Sequence, residues 1–397
     1  MVEEFILVLS TLAFGQILLS LPLLVSRANQ IPAYWPLAVF LLGMGVIALD
    51  SPVSYFLPSH YSIYIAFIFP AWMVLSPSLW LYVQGLTSET PWQLSQIPLL
   101  TYLPLLFGVS MTCLLLVLPS EAREGLFVDQ VAGSQNIDSG LAEFAAISMF
   151  LLMIGWAIQS SYYVAKMVKR LVIYRKKLND QFANHDQRSL RWFNWLLLII
   201  VVSWGLSFVN LVTTLATEYA IFDYRVGASL VLILVWTICY CGIKQKPGYE
   251  GHYLSETSDS VLEAESNSNE SIKYQNSALD QFQAERIKDK LNSVMKEQLL
   301  YLKPSLTLQQ LSQQLAISPN YISQTLNETM ETSFFDYVNF WRIECAKPKI
   351  LDNKKTVLDI AYEVGFNARS SFYKAFKKET GMTPSEFRKS SSSEPNS

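Results

Sequence analysis

Seven apolar runs, each long enough to cross a bilayer, occupy the first 243 residues of this 397-residue chain: 5–25, 33–49, 62–86, 97–118, 141–165, 192–217 and 226–243. A hydrocarbon core takes roughly 17–25 such residues per helix. Lipid offers no partner to a bare N–H or C=O, so a single run that crosses it must be helical. The expected fold is all-α, with a seven-helix transmembrane bundle at its front. The first run follows Glu3 and Glu4 rather than basic residues. It is also too long for the apolar core of a signal peptide, so it reads as a retained span.

Loop charge orients the bundle. Residues 166–191 hold Lys166, Lys169, Arg170, Arg175, Lys176, Lys177, Arg188 and Arg191 against Asp180 and Asp186. Lys and Arg collect in cytoplasmic loops, so this loop is expected inside. The loop between spans four and five carries Glu121, Glu124, Asp129 and Asp138 against Arg123, and the next outer loop carries Glu218, Asp223 and Arg225. Both read as outside. The expected topology is a multi-pass membrane protein, N-terminus outside and C-terminus cytoplasmic. The basic loop could extend span five as a helix past the membrane and touch anionic lipid, or serve only to stop transfer.

Polar groups inside the runs are few. Gln16, Gln159 and Asn210 lie deep enough to need partners, while Asp50 and Glu143 fall at the outer interface. They serve either as glue between helices or as contacts to a polar ligand. Pro22, Pro36, Pro70, Pro77 and Pro104 interrupt the runs. Proline is tolerated in lipid where neighbours satisfy the freed carbonyl. These prolines could mark a cavity or a moving joint, or reflect the ordinary proline content of membrane helices. Aromatics crowd the second to fourth spans, among them Tyr34, Trp35, Tyr61, Tyr64, Trp72, Trp80 and Tyr82, as belt anchors or pocket walls.

The four cysteines, Cys113, Cys239, Cys241 and Cys345, have no metal-ligand spacing, and His60, His185 and His252 are scattered. No metal or cofactor is expected. No run holds paired carboxylates, a His cluster or a Ser/His/Asp set, so an intramembrane enzyme is excluded as a reading.

The composition changes past residue 243. From 244 to 280 the chain is rich in Ser and Asn, with seven acids opposed by Lys244, Lys246 and Lys273. Such a stretch cannot bury a core and is expected to be a disordered acidic linker. At about 35 residues its mean span is roughly 30–35 Å. The formal net charge of −3 averages over these unlike parts and says little about partners.

Residues 281–390 read as a soluble helical domain, followed by a disordered tail, 391–397. A lead-in helix is expected over 278–302. Thr307 is placed to cap a helix over 308–316, and Ser318-Pro319 starts a second one. In that second helix Tyr321, Ile322, Thr325 and Leu326 face inward, while Asn320, Ser323, Gln324 and Asn327 face out. Amide side chains can bond adenine in two places, which suits the outward set to base edges. A long connecting helix is expected over 334–351. Then the pattern repeats: 357–364, a turn at Gly365-Phe366, and a helix over 370–379 that exposes Arg369, Tyr373, Lys374, Lys377 and Lys378. Gly365 stands where a turn between helices needs left-handed backbone.

This double unit resembles the DNA-binding domain of the AraC/XylS family of bacterial regulators. The resemblance rests on Asp359-Ile360-Ala361 through Gly365-Phe366, Ser371-Phe372 through Phe376-Lys377-Lys378, then Gly381, Thr383-Pro384 and Phe387-Arg388. The membrane half looks like the seven-helix branch of that family through Pro77-Ser78-Leu79-Trp80-Leu81-Tyr82-Val83, Pro98 and Leu190-x-Trp192. The resemblance implies two recognition helices in adjacent major grooves about one helical turn apart. It places base reading on Asn320, Ser323 and Gln324 in the first unit and on Arg369, Ser370, Tyr373 and Lys374 in the second. Lys377 and Lys378 look like phosphate contacts, which position without specifying sequence.

Residues 285–389 hold sixteen Lys/Arg against twelve Asp/Glu, a modest +4. Pro348 departs from the family pattern and is expected to kink or shorten the connecting helix. The function implied is a one-component regulator that senses a signal in the membrane and binds promoter DNA. Its expected partners are double-stranded promoter DNA, the lipid bilayer, an unidentified signal ligand, RNA polymerase and a second copy of the chain. The alternative is a receptor or transporter whose tail binds protein.

Overall fold

The computed structural model describes residues 2–90, 92–127, 140–183, 190–217, 221–245 and 280–392. Most of the expected acidic linker, His185, His252 and the final residues from 393 lie outside this set. Every named element is helical; the one bridge outside them joins Phe182 and Thr307. The chain divides into two compact units. One is Met1–Leu171 with Leu190–Tyr253; the other is Val172–Ser189 with Leu254–Ser397.

The first unit contains the apolar runs. Its main helices are α1 (Val2–Ala28), α2 (Trp35–Ala48), α3 (Ile68–Leu86), α4 (Leu103–Val117), α5 (Gly140–Gln181, passing into the second unit), α6 (Arg191–Thr217) and α7 (Tyr224–Thr237). Short helical turns extend several of them, so that among the described residues seven stretches are long and apolar enough to cross a membrane, as many as the sequence predicts. The basic stretch after span five is indeed helical as far as Gln181.

Helix α1 shows the kind of surface these elements present. Ala13, Ile17, Ser20, Leu24 and Ala28 recur every three or four residues and form its one buried stripe. Leu12, Leu18, Leu19 and Leu23 on the rest of the surface are more than half exposed. Apolar surface on that scale is uncommon on soluble monomers. In a bilayer it is the expected exterior.

The prolines and the buried polar groups account for each other. Pro77 lies inside α3 and cannot bond the carbonyl of Met73. That oxygen accepts from Gln159 Nε2 of α5 at 3.0 Å. Pro70 likewise leaves the Ala66 carbonyl free, and Thr112 Oγ1 of α4 donates to it at 2.7 Å. Ser76 and Ser160 share a further bond at 2.8 Å. Asn210 binds the backbone of Phe222 twice, at 2.9 and 2.8 Å. Gln159 thus ties α5 to α3, and Asn210 ties α6 to the turn before α7; both side chains also line cavities. Close approach completes the packing. A Cβ on Gly108 would stand 2.7 Å from Pro70 Cα, so α4 can lie against α3 only with glycine there.

The second unit is built from α8 (Gln281–Gln298), α9 (Leu308–Leu315), α10 (Pro319–Gln324), α11 (Phe334–Leu351), α12 (Val357–Glu363), α13 (Arg369–Thr380) and α14 (Pro384–Ser392). The lead-in helix is shorter than its periodicity suggested. Leu299 takes left-handed backbone (φ +51°) and ends it, and Leu300–Leu302 continue as a tight turn. The connecting helix is not shortened by Pro348. It runs on to Leu351, because a proline in the last turn removes one backbone bond while Ala346 and Ile350, both fully buried, anchor the helix end. The last helix takes in Ser391 and Ser392, the first residues of the expected tail.

Candidate nucleic-acid interface

The first helix-turn-helix is α9 and α10. Thr307 begins α9 with a capping box: its Oγ1 accepts from Gln310 N, and Gln310 Oε1 accepts from Thr307 N, both at 3.2 Å. Ala316 ends it in left-handed backbone (φ +50°). Ser318 occupies the start of α10, but its side chain makes no capping bond; Pro319 provides the fixed φ instead. A π-turn, Thr325–Thr329, follows α10. Ile322, Thr325 and Leu326 are fully buried against a core that includes Leu291, Leu311, Phe334 and Val338. That leaves Asn320 exposed and Ser323 and Gln324 half-buried on the other side. Gln324 Nε2 donates to Glu328 Oε2 at 2.8 Å, and Asn327 Nδ2 donates to the Ser323 carbonyl at 3.0 Å.

The second unit is α12 and α13. Thr356 caps α12 by accepting from Asp359 N at 3.1 Å. The turn carries Gly365 at φ +95°, as the sequence required. Phe366, Phe372 and Phe376 form an edge-packed aromatic series with Ile360, Ala361 and Ile350. Arg369, Ser370, Lys374, Lys377 and Lys378 are exposed on α13, with Tyr373 half-buried. Arg369 Nη2 donates to Tyr373 OH at 3.1 Å and its guanidinium lies 4.9 Å from that ring. These two candidate readers thus support each other. Lys378 forms an ion pair with Asp336 of α11 at 2.6 Å while remaining more than half exposed. Arg388 bonds the carbonyls of Ile350 and Lys355, so it braces α14 rather than standing ready for a phosphate.

Sequence reasoning missed what ties α11 to the backbone that precedes α9. Arg342 in the middle of α11 has no exposed surface. Its guanidinium donates to the carbonyls of Tyr301 at 2.8 Å, Lys303 at 3.0 Å and Ala183 at 3.2 Å. Burial lowers its pKa to about 10, so it stays charged at neutral pH. Only the alternation of apolar and polar residues was readable in α11, and an arginine there reads as surface.

The link between α11 and α12 was also missed. Glu363 accepts from Lys349 and from Lys355, the latter at 2.7 Å. The hydrogen bond from Lys349, then that from Lys355, holds its carboxylate down at about 2. A depressed carboxylate contributes above the ordinary glutamate value of about 4.3, and the contribution is lost as pH falls toward 2. The protection of α12 amides, relative to the intrinsic exchange rate at each pH, is expected to fall across that window, and Glu363→Gln to remove that fall. Unchanged protection down to pH 2 would show that the pair does not hold α12.

Residues 311–390 match the family model described as "Helix-turn-helix domain". The C-terminal helices thus form a helix-turn-helix domain. An uncharacterized HTH-type transcriptional regulator of Staphylococcus aureus is 33% identical over 100 residues, which are 25% of this chain and 13% of that protein. The melibiose operon regulatory protein of Escherichia coli is 31% identical over 85 residues, 21% of this chain and 28% of that one. The chain thus spans well under a third of the length of these relatives. Among solved structures, the C-terminal domain of AraT, a response regulator from Geobacillus stearothermophilus, is 26% identical and covers 29% of this chain and 88% of its own, with a TM-score of 0.24. A protein of unknown function from Listeria innocua is 30% identical over 26% of this chain, with a TM-score of 0.23. Among the described residues, no group of His, Cys, Asp and Glu could hold a metal ion.

Proposed function

We propose that this chain is a membrane-embedded, one-component transcription regulator, with the C-terminus cytoplasmic and the N-terminus outside. The observation that carries the reading is the presence, on one chain, of seven membrane-length helices and a helix-turn-helix domain with two outward polar helix faces. The loop charges support the orientation. A promoter is the partner proposed for the domain, read by Asn320, Ser323, Gln324, Arg369, Ser370, Tyr373 and Lys374, with Lys377 and Lys378 on phosphates. RNA polymerase and a second copy of the chain remain proposed partners at the promoter.

The first unit offers a place for a signal. A cavity of about 790 Å³ is lined by Ile6, Leu9, Trp72, Phe150, Asp50 and Tyr61, among others. Tyr61 OH donates to Asp50 Oδ1 at 3.1 Å at its polar edge. A ligand acts on such a protein only through different affinities for two states.

The test is a gel shift with the full chain in nanodiscs on DNA from its own upstream region. Gln324→Ala and Arg369→Ala are expected to lose about 1–3 kcal/mol of discrimination between the specific site and random DNA. Lys377→Ala is expected to weaken both alike and to reduce the salt slope by about one. Equal losses on both DNAs for all three variants would reject these base readers. An absence of binding at low salt would favour the protein-binding tail instead.

A further inference from the structure

The second unit contains a segment that the helix-turn-helix pattern does not require. Residues 172–183 belong to it, and Tyr174, Leu178, Phe182 and Ala183 are buried. Phe182 forms an antiparallel bridge to Thr307, the residue that caps α9. Ala183 N donates to the Leu306 carbonyl at 3.1 Å, and the Ala183 carbonyl accepts from Arg342. Ala183 sits in one buried cluster with Leu306, Leu311 and Ile322. A stretch merely passing by would not exchange main-chain hydrogen bonds and supply a carbonyl to a buried guanidinium.

The same segment reaches the proposed reading face. The Asp180 carboxylate, near the end of α5, lies beside the Asn327 side chain. Asn327 Nδ2 also donates to the Ser323 carbonyl at 3.0 Å and to Ser323 Oγ at 3.3 Å. Asn327 therefore stands between Asp180 of α5 and Ser323.

We infer that residues 178–183 are a built-in positioning segment for the first recognition helix, which orients Ser323 through Asp180 and Asn327 while docked on Leu306 and Thr307. The inference rests on the reading of Ser323 as a base contact. It gives that reading a route of control. Helix α5 is unbroken from Gly140 to Gln181, so the segment is the direct continuation of the fifth membrane-length stretch.

Two experiments on the full chain in nanodiscs test this. In the first, the native cysteines are replaced, a protease site is placed in the linker, and Phe182→Cys is combined with Thr307→Cys. Residues paired across an antiparallel bridge have Cβ atoms about 4.5–5.5 Å apart, within reach of a disulfide after slight adjustment. After oxidation and cleavage the two halves are expected to run as one band until reduced, with neither single variant doing so. Halves that separate in the double variant overturn the docking.

In the second, Asp180→Ala, Asn327→Ala and the combined variant are assayed on upstream DNA with the first half-site intact or scrambled. Each is expected to lose about fivefold in preference for the intact half-site, with the combination no worse than either one, as a shared network demands. Preference retained in these variants but lost in Ser323→Ala overturns the positioning role alone. Preference retained in Ser323→Ala as well overturns the base-reading assignment beneath it.

Discussion

Replacing Arg342 by methionine is expected to destabilise the C-terminal domain by about 3–5 kcal/mol, because three carbonyls lose their donor and each buried unpaired group costs about 1–3 kcal/mol. The carbonyls of Tyr301, Lys303 and Ala183 meet at this one guanidinium, which lies 5.4 Å from the Phe366 ring. A typical domain is stable by about 5–15 kcal/mol, so the loss is a large fraction of the total. Pulse proteolysis of the full chain in nanodiscs, read on the C-terminal half, measures it. Arg342→Lys retains the charge but not the planar fork that serves several acceptors at once, and an intermediate loss is expected. Wild-type stability in the methionine variant would mean that the buried charge costs as much as its bonds return.

Gly365→Ala is expected to cost about 2–4 kcal/mol, combining left-handed backbone with steric overlap. Its φ is +95°, and an added Cβ would stand 2.8 Å from the Tyr301 carbonyl, 2.9 Å from the Leu302 carbonyl and 3.1 Å from Arg342 Nε. Gly381 provides the control. It too has positive φ, at +76°, but nothing lies within 4 Å of an added Cβ. Gly381→Ala should therefore show the backbone cost alone, about 1–2 kcal/mol. Equal losses at the two positions would show that the Gly365 turn is not closely packed on the 301–302 backbone. The same proteolysis assay separates the outcomes.

The sequence made local features readable and left long-range partners hidden. Thr307 could be read as a cap and Gly365 as a turn, because each answers a need set within a few residues. The seven spans were readable because lipid demands length and apolarity from every one of them. Gln159 could be seen to need a partner, but not that the partner is the carbonyl Pro77 leaves free. Arg342, Ala183 and the Lys378–Asp336 pair were invisible for the same reason: side-chain periodicity reports a face, not what lies across from it. The candidate readers stand on their expected helices. Their environment, with Arg369 on Tyr373 and Asn327 on Ser323, came only with the structure.

The position of Ala183 among the partners of Arg342 bears on how the chain is made. The two residues are 159 apart, and synthesis runs from the N-terminus. At the usual pace of about 5–20 residues per second, the Ala183 carbonyl waits roughly ten to thirty seconds for its donor. The C-terminal helices then close around a segment that has already left the ribosome. A gene split between residues 183 and 342 would deliver a C-terminal half whose arginine finds two carbonyls in place of three.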